Sequence, residues 1–259
     1  MLRSITSTTD FAMPDQRILY QTQDDLGPLL VLDDGEQRTL AFAEGDTQSC
    51  CLKNAPYIPQ YEYTQAMLLV LLFCQPKRVT LLGLGGGNLF TTLHKHIPGI
   101  HITAIELRQR VIDIAYQYFQ LPRGKRLQVI QQNGVNYLVT NTARRADIIF
   151  ADLYHADGVD SAQLQAGFIR QCAANLKTHG WLVLNCWTEH QNEVNFISLL
   201  HELFTDVRAV HTGSKNWVIL AGKIADKQSV TELRNKATRL SATMEFPLSR
   251  HLGRLQHLK

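Results

Sequence analysis

The sequence predicts an α/β protein: an open, mostly parallel sheet of seven strands that closes with an antiparallel hairpin, preceded by a small antiparallel β-unit. Three observations predict it. From Val79 to Ala221, short apolar runs rich in β-formers alternate with longer amphipathic runs, the pattern of βαβ units. Gly83, Gly85 and Gly87 stand at the end of the first such run, where a chain leaving a buried strand must turn sharply. Ahead of them, residues 17–52 hold four short runs separated only by turn-forming residues.

Met1–Gln16 is rich in Ser and Thr and is expected to fray. Ile18–Thr22, Leu29–Leu32, Thr39–Ala43 and Thr47–Cys51 read as strands, with hairpins at Asp34-Gly35 and Gly45-Asp46. Lys53–Gln60 is a loop with two prolines. Gln60–Phe73 reads as a helix whose first turn carries Tyr61, Glu62, Tyr63 and Gln65 and whose remainder is almost wholly apolar; Pro76 stops it. Val79–Leu82 is the first buried strand. Asn88 opens a helix, Leu89–Ile97, and Ile100–Ile105 is a second strand with Glu106 at its end.

Arg108–Phe119 is amphipathic, with Val111, Ile114, Ala115 and Tyr118 on one face. Arg126–Ile130 is a third strand, Asn133–Asn141 a helix, and Asp147–Ala151 a fourth strand ending at Asp152. A loop, Leu153–Val159, leads to a helix from about Ser161 to Leu176. A turn at His179-Gly180 enters a fifth strand, Trp181–Cys186, and Glu189–Leu203 is the next helix. Val207–His211 and Trp217–Ala221 flank a Gly213-Ser214 turn as the closing hairpin. This is the layout of Rossmann-like, methyltransferase-type folds. Lys227–Leu240 and Leu248–Leu258 read as basic amphipathic helices with solvated faces. The expected units are therefore a β-domain at 1–59, a Rossmann-like domain at 60–225 and a basic helical tail at 226–259.

Bulk properties narrow the function. With 45% hydrophobic residues in 259, the chain can build a sizeable core, and a net charge of +3 is too mild to argue for nucleic acid or a membrane surface. The five cysteines (50, 51, 74, 172 and 186) form no C-x-x-C and no ligand-like cluster, which fits free thiols in a reducing cytoplasm and predicts no metal site. Met1–Pro14 lacks the pattern of a signal peptide, and the apolar run Ala66–Cys74 is too short to span a bilayer.

In an open parallel sheet, ligands lie outside the carboxyl ends of the strands. That rule gathers Gly83–Gly87, Glu106, Asn133 with Gly134, and Asp152. The glycines run G-x-G-x-G, a tighter form than G-x-G-x-x-G, which suits a nucleoside such as S-adenosylmethionine at least as well as a dinucleotide. An acid at the second strand end can take both ribose hydroxyls. A Gly-rich turn beside a surface Glu, and Asn133 as a plain helix cap, are the bland alternatives. Asp152, His155, Asp157 and Asp160 share one short segment. Alkyl transfer to an amine needs a neutral nitrogen lone pair, so a carboxylate or neutral His there can hold or remove the amine proton. The bland account of this segment is an acidic loop capping the helix at Ser161.

From about Leu26 to Gly222 the chain resembles the spermidine synthase (polyamine aminopropyltransferase) superfamily. The residues that carry the resemblance are L-x-F-x-x-G-x-x-Q at Leu40–Gln48, a Tyr-led helix at Tyr61, the glycine loop, Glu106, Asn133–Tyr137, the strand Asp147–Asp152 and a Trp in the final hairpin, Trp217. The resemblance implies a donor, decarboxylated S-adenosylmethionine or S-adenosylmethionine itself, held by Gln48, Gly83, Gly85, Gly87, Glu106, Asn133, Gly134 and Asp152. It implies Asp152, with His155 and Asp157, at the reacting amine, and Tyr61, Glu62, Tyr154 and Trp217 around the acceptor. The implied partner is a small-molecule amine, with a homodimer as the expected assembly.

Three departures bear on the amine end and a fourth on the adenine side. The Asp of the family's G-G-G-D-G is Gly86 here, and that Asp clamps the donor's aminopropyl ammonium. The family's Y-H-E is Tyr61-Glu62-Tyr63, the second Asp of its D-x-x-D is His155, and its adenine-side Asp is Asn133. The alternatives to aminopropyl transfer are therefore methyl transfer from intact S-adenosylmethionine and a catalytically silent nucleoside-binding scaffold.

Overall fold

The computed structural model describes residues 16–43, 46–141, 144–155, 158–213 and 215–258. Four strands come first: β1 (Arg17–Asp24), β2 (Gly27–Asp33), β3 (Gln37–Ala43) and β4 (Asp46–Leu52), paired antiparallel in that order. The β2–β3 turn falls at the expected Asp34-Gly35, where Gly35 takes φ +98°. Gly45 of the other expected hairpin lies outside the described residues, as do residues 1–15 of the segment expected to fray. Alternation places Leu29, Val31, Leu40, Phe42 and Cys51 on one face, where they pack on Val111, Ile114 and Phe119.

The helix α1 (Glu62–Met67) leads into β5 (Arg78–Leu82), α2 (Asn88–His96), β6 (His101–Glu106), α3 (Gln109–Tyr118), β7 (Leu127–Gln131), α4 (Gly134–Thr140) and β8 (Ala146–Ala151). Two short strands, β9 (Tyr154–His155) and β10 (Gly158–Val159), pair across the next loop. Then come α5 (Ala166–Asn175), β11 (Leu176–Trp187), α6 (Val194–Leu203), β12 (Asp206–His211), β13 (Asn216–Gly222), α7 (Val230–Met244), α8 (Leu248–Leu252) and β14 (Gln256–His257).

The main sheet runs β14-β12-β13-β11-β8-β5-β6-β7. Its central and one outer part are parallel (β11, β8, β5, β6, β7), and β13 turns antiparallel to both β11 and β12. One core layer lies under α1, α2 and α7, the other under α4, α5 and α6.

Four expectations change. The sheet has eight strands because the chain after α8 adds a two-residue strand to the β12 edge. The expected helix Leu248–Leu258 thus ends at Leu252, and Gly253 precedes the turn into β14. The helix Gln60–Phe73 is α-helical only to Met67; Leu68–Leu72, apolar on every side and at most 5% exposed, tightens into a 3-10 turn. The helices expected at 161–176 and 189–203 each split into a 3-10 turn and an α-helix, the first at the extended residue Gln165.

The α7 helix begins at a capping box in which Ser229 and Glu232 serve each other's backbone N–H, and it buries Leu233, Ala237 and Met244 in the main core. Only its other face is solvated. Among the described residues, no helix is long and apolar enough to cross a membrane.

Candidate active site

A cavity of about 530 Å³ opens at the carboxyl ends of β5, β6, β7, β8 and β11 and is walled on one side by β4. It has two contrasting sides.

The first side is built around Glu106. Its two oxygens accept backbone N–H groups, Oε1 from Arg108 at 2.9 Å and Oε2 from Leu84 at 3.0 Å. Burial raises this carboxyl above its ordinary value, and the N–H groups of Arg108, Leu84 and Gly85 offset part of the rise. The glycine loop and the acid are thus one unit. Arg108 extends it: its guanidinium grips Asp24 with two nitrogens, at 3.0 and 2.7 Å, donates to the Gly27 carbonyl, and stacks over Phe42. This half-buried pair ties the N-terminal sheet to the rim of the cavity.

The glycines divide by task. Gly83 (φ +93°) lies against the Asp152 carbonyl, where a Cβ would come within 2.3 Å. Gly85 and Gly86 face Ser49 of β4: the Gly86 N–H donates to the Ser49 hydroxyl at 2.8 Å, and a Cβ on Gly86 would meet Phe119 at 2.8 Å and Ser49 at 3.0 Å. Gly87 (φ +79°) is the residue before α2, packed on Leu121 and not on the cavity. Gln48 and Asn133 line the cavity. The Asn133 carbonyl caps α4, accepting from Val135 and Asn136, while its Nδ2 carries no hydrogen bond among the described residues. Gly134 lines the cavity beside it.

The second side is built around Asp152, the residue that leaves β8. Asn185 Nδ2 donates to Asp152 Oδ1 at 2.8 Å, and the Tyr63 hydroxyl also bonds this carboxyl. Burial outweighs both and pushes Asp152 up to about 6. A network holds the acid in place. Asn216 Nδ2 donates to Asn185 Oδ1 at 3.0 Å and to the Tyr154 hydroxyl at 3.3 Å. Gln163, fully buried, bridges the Asn185 carbonyl (2.7 Å) and the Leu153 N–H (3.1 Å), fixing the loop after β8 to β11. The rings of Tyr154 and Trp187 face one another, with centroids 6.4 Å apart. Burial, followed by the Asp152 charge, raises both Tyr63 and Tyr154. Asp160 lines the cavity too, although its Oδ1 caps the 3-10 turn at Ala162.

Gln48, Gly83, Gly85, Glu106, Asn133, Gly134, Asp152 and Tyr154 share this cavity. Tyr61, Glu62, Gly87 and Trp217 do not. Trp217 is 1% exposed because it stands on the face of β13 that looks into the α5–α6 core, stacked on His211. Tyr61 precedes α1 and packs its ring on that of Tyr63, centroids 5.8 Å apart, so it stands behind Tyr63, which lines the cavity. Glu62 accepts the Gly213 N–H at 2.7 Å and pairs with Arg250 and Arg254. Asp157 lies outside the described residues, and of His155 only the backbone is described, as part of β9.

Sequence reasoning missed Ser49, Arg108, Tyr63, Asn185, Trp187 and Asn216. One had a signal: Asn185 is a lone amide inside the apolar run W-L-V-L-N-C-W, and a polar side chain in such a strand needs a partner.

The sheet order, the glycine turn bonded to an acid on the next strand and the cavity above them define a Rossmann-like, methyltransferase-type α/β protein. The chain belongs to the spermine/spermidine synthase domain family, whose profile matches residues 61–212, and it is a transferase. A polyamine aminopropyltransferase from Neisseria meningitidis is 26% identical over 233 residues, covering 87% of this chain and 88% of the relative. Among solved structures, a probable spermidine synthase from Corynebacterium glutamicum superposes with a TM-score of 0.77 at 16% identity, covering 94% of this chain and 91% of the other. Human methyltransferase-like protein 13, solved in complex with SAH, gives 0.64 at 21% identity, covering 72% and 94%.

Proposed function

We propose that this enzyme moves an aminopropyl group from decarboxylated S-adenosylmethionine to an amine acceptor of the polyamine type. The observation that carries the reading is Asp152: a buried carboxyl raised to about 6, held by Asn185 and Tyr63, in the same cavity as Gly83, Gly85 and Glu106. In this reading Glu106 takes the ribose hydroxyls through the lone pairs its backbone donors leave free, and Asn133 Nδ2 faces the base. The acceptor nitrogen attacks the carbon next to the sulfonium as its lone pair forms the new N–C bond. The C–S bond breaks and its electrons stay on sulfur, releasing a neutral thioether. The proton shed by the attacking nitrogen goes to Asp152, which is ionised at neutral pH and basic enough to receive it. Because the sulfonium is already a good leaving group, the remaining task is alignment, and Tyr63, Tyr154 and Trp187 supply apolar walls with polar edges for an alkylamine chain. The relatives named above as polyamine aminopropyltransferase and probable spermidine synthase support this reading.

Methyl transfer from intact S-adenosylmethionine is the second reading, and Gly86 favours it. The place where the resemblance expects an ammonium-clamping Asp is filled here by Phe119 and Ser49. The test is titration with both donors by calorimetry, followed by mass analysis of product with a diamine acceptor. Preference for the decarboxylated donor and a mass gain of one aminopropyl group support the proposal. Preference for the intact donor supports methyl transfer, and binding of neither leaves the scaffold reading.

A further inference from the structure

A second concavity lies at the opposite, amino ends of β5 and β6, on the face that carries α4. Its volume is about 350 Å³, and Arg78, Thr80, Thr103, Gln128, Tyr137 and Arg144 are among the residues that line it. It exists because α4 is only seven residues long. Near the carboxyl ends of the strands, Leu82, Ile105 and Ile130 pack in the core layer under α4. Two to four residues earlier on the same face the strands carry Arg78, Thr80, Thr103 and Gln128, which α4 borders with Tyr137 and Thr140 but leaves uncovered. On the opposite face of the same three strands Val79, Leu81, Ile102, Ala104 and Val129 pack in the other core layer, and the polar Glu106 and Gln131 stand only at the carboxyl ends. At the amino ends of these strands the polar residues are therefore gathered on the α4 side, in one quadrant of the sheet.

That quadrant is of one sign. Neither the Arg78 nor the Arg144 guanidinium has a carboxylate or other hydrogen-bond partner among the described residues. The carboxylate of Asp147 is taken up by Lys177 and by the backbone N–H groups of Lys77 and Arg78. His101, on β6, is held below its ordinary value by burial and then by repulsion from Arg78, Arg126 and Arg144, with no acid among the causes. A surface that is merely solvated mixes signs. Here guanidiniums, which bind planar oxyanions by paired N–H groups, surround hydroxyl and amide donors in a hollow.

We propose that this hollow is a binding site for a small phosphate-bearing anion, held by Arg78 and Arg144 with the Thr80 and Thr103 hydroxyls as further donors. It is separate from the cavity over the glycine loop, although β5 and β6 run from one to the other. The phosphoryl group is the recognised chemistry, whether it comes as free phosphate or on a sugar.

The experiment is calorimetric titration of the full chain with inorganic phosphate, pyrophosphate and ribose 5-phosphate at fixed ionic strength. Saturable binding at one site is expected, weakened about tenfold or more in each of Arg78→Ala and Arg144→Ala and unchanged in Arg145→Ala. Tighter binding of ribose 5-phosphate than of the inorganic ions would identify a sugar phosphate as the source; the reverse order would identify the free anion. If Arg78→Ala fails to fold, Arg78→Gln and Thr103→Val carry the test. Absence of saturable binding, or equal binding by the Arg144→Ala and Arg145→Ala variants, overturns the proposal. Neither outcome touches the donor-binding reading, whose ligands occupy the other end of the strands.

Discussion

The two sides of the main cavity are made in opposite ways. The Glu106 side is largely backbone: loop N–H groups of Leu84 and Arg108 close on one carboxylate, and glycines at 83 and 85 let the chain come close. Its parts lie within one βαβ unit. The Asp152 side is made of side chains drawn from α1, the loop after β8, β11 and β13, joined by Tyr63, Asn185, Asn216 and Tyr154. A backbone cradle tolerates change in side chains but fixes position. A side-chain network does the reverse, so substrate range should vary on the Asp152 side while the nucleoside grip stays put.

The largest effect separates the two sides cleanly. In the proposed reading Asp152→Asn removes the proton acceptor and leaves the hydrogen bonds of Glu106 in place. Turnover is expected to fall by about 10²–10⁴-fold while calorimetric affinity for 5′-methylthioadenosine stays within about twofold. Unchanged turnover would make Asp152 a structural residue of the β8 loop and break the contrast.

Next comes pH. If ionised Asp152 receives the proton, the rate should fall about tenfold per unit below pH ~6 and level off above it. Asn185 stabilises the charged form, so Asn185→Ala should move that limb upward. The same shift acts on stability with a definite sign. The folded state holds this proton more tightly than the unfolded chain, whose carboxyl titrates near 3.8, so folding loses stability as pH rises from about 4 through 6. Asp152→Asn should therefore unfold later than the parent protein at pH 7–8, by up to about 3 kcal/mol in denaturant titration. A limb that ignores Asn185 would detach the network from the acid.

On the other side, Glu106→Ala is expected to weaken nucleoside binding by about 1.5–3 kcal/mol, with little change in turnover at saturation. A fall in turnover of the Asp152→Asn size would show that the sides are one machine and not two.

The same contrast explains what the sequence discloses. The succession of strands and helices, the glycine turn and Glu106 at its strand end are legible because they rest on local grammar: apolar runs, turn residues and short offsets. Asp152 is legible because it ends a strand. Tyr63, Asn185 and Asn216 are far apart in the chain, and only packing of α1, β11 and β13 brings them to one acid. Trp217 shows the converse failure. Its place in the closing hairpin is read correctly, but which face of β13 it takes follows from register: Trp217 lies opposite Cys186, and both are buried in the same core, whereas Asn216 lies opposite Trp187, and both line the cavity.

Glu62 gives the smallest and sharpest test of that point. The resemblance places it at the acceptor, whereas it accepts the Gly213 N–H and pairs with Arg250 and Arg254, with burial too slight to keep these contacts from water. Its carboxyl is held below the ordinary value, first by the Gly213 N–H and then by the two arginines, so its contribution to stability is present at neutral pH and is lost as pH falls through the lowered value. Partly exposed ion pairs of this kind contribute about 1 kcal/mol or less. Glu62→Gln should accordingly shift the denaturant midpoint slightly at pH 7 and leave both the Michaelis constant for the amine and the pH limb of Asp152 in place. A raised Michaelis constant would return Glu62 to the acceptor side, by way of Tyr63 next to it in α1.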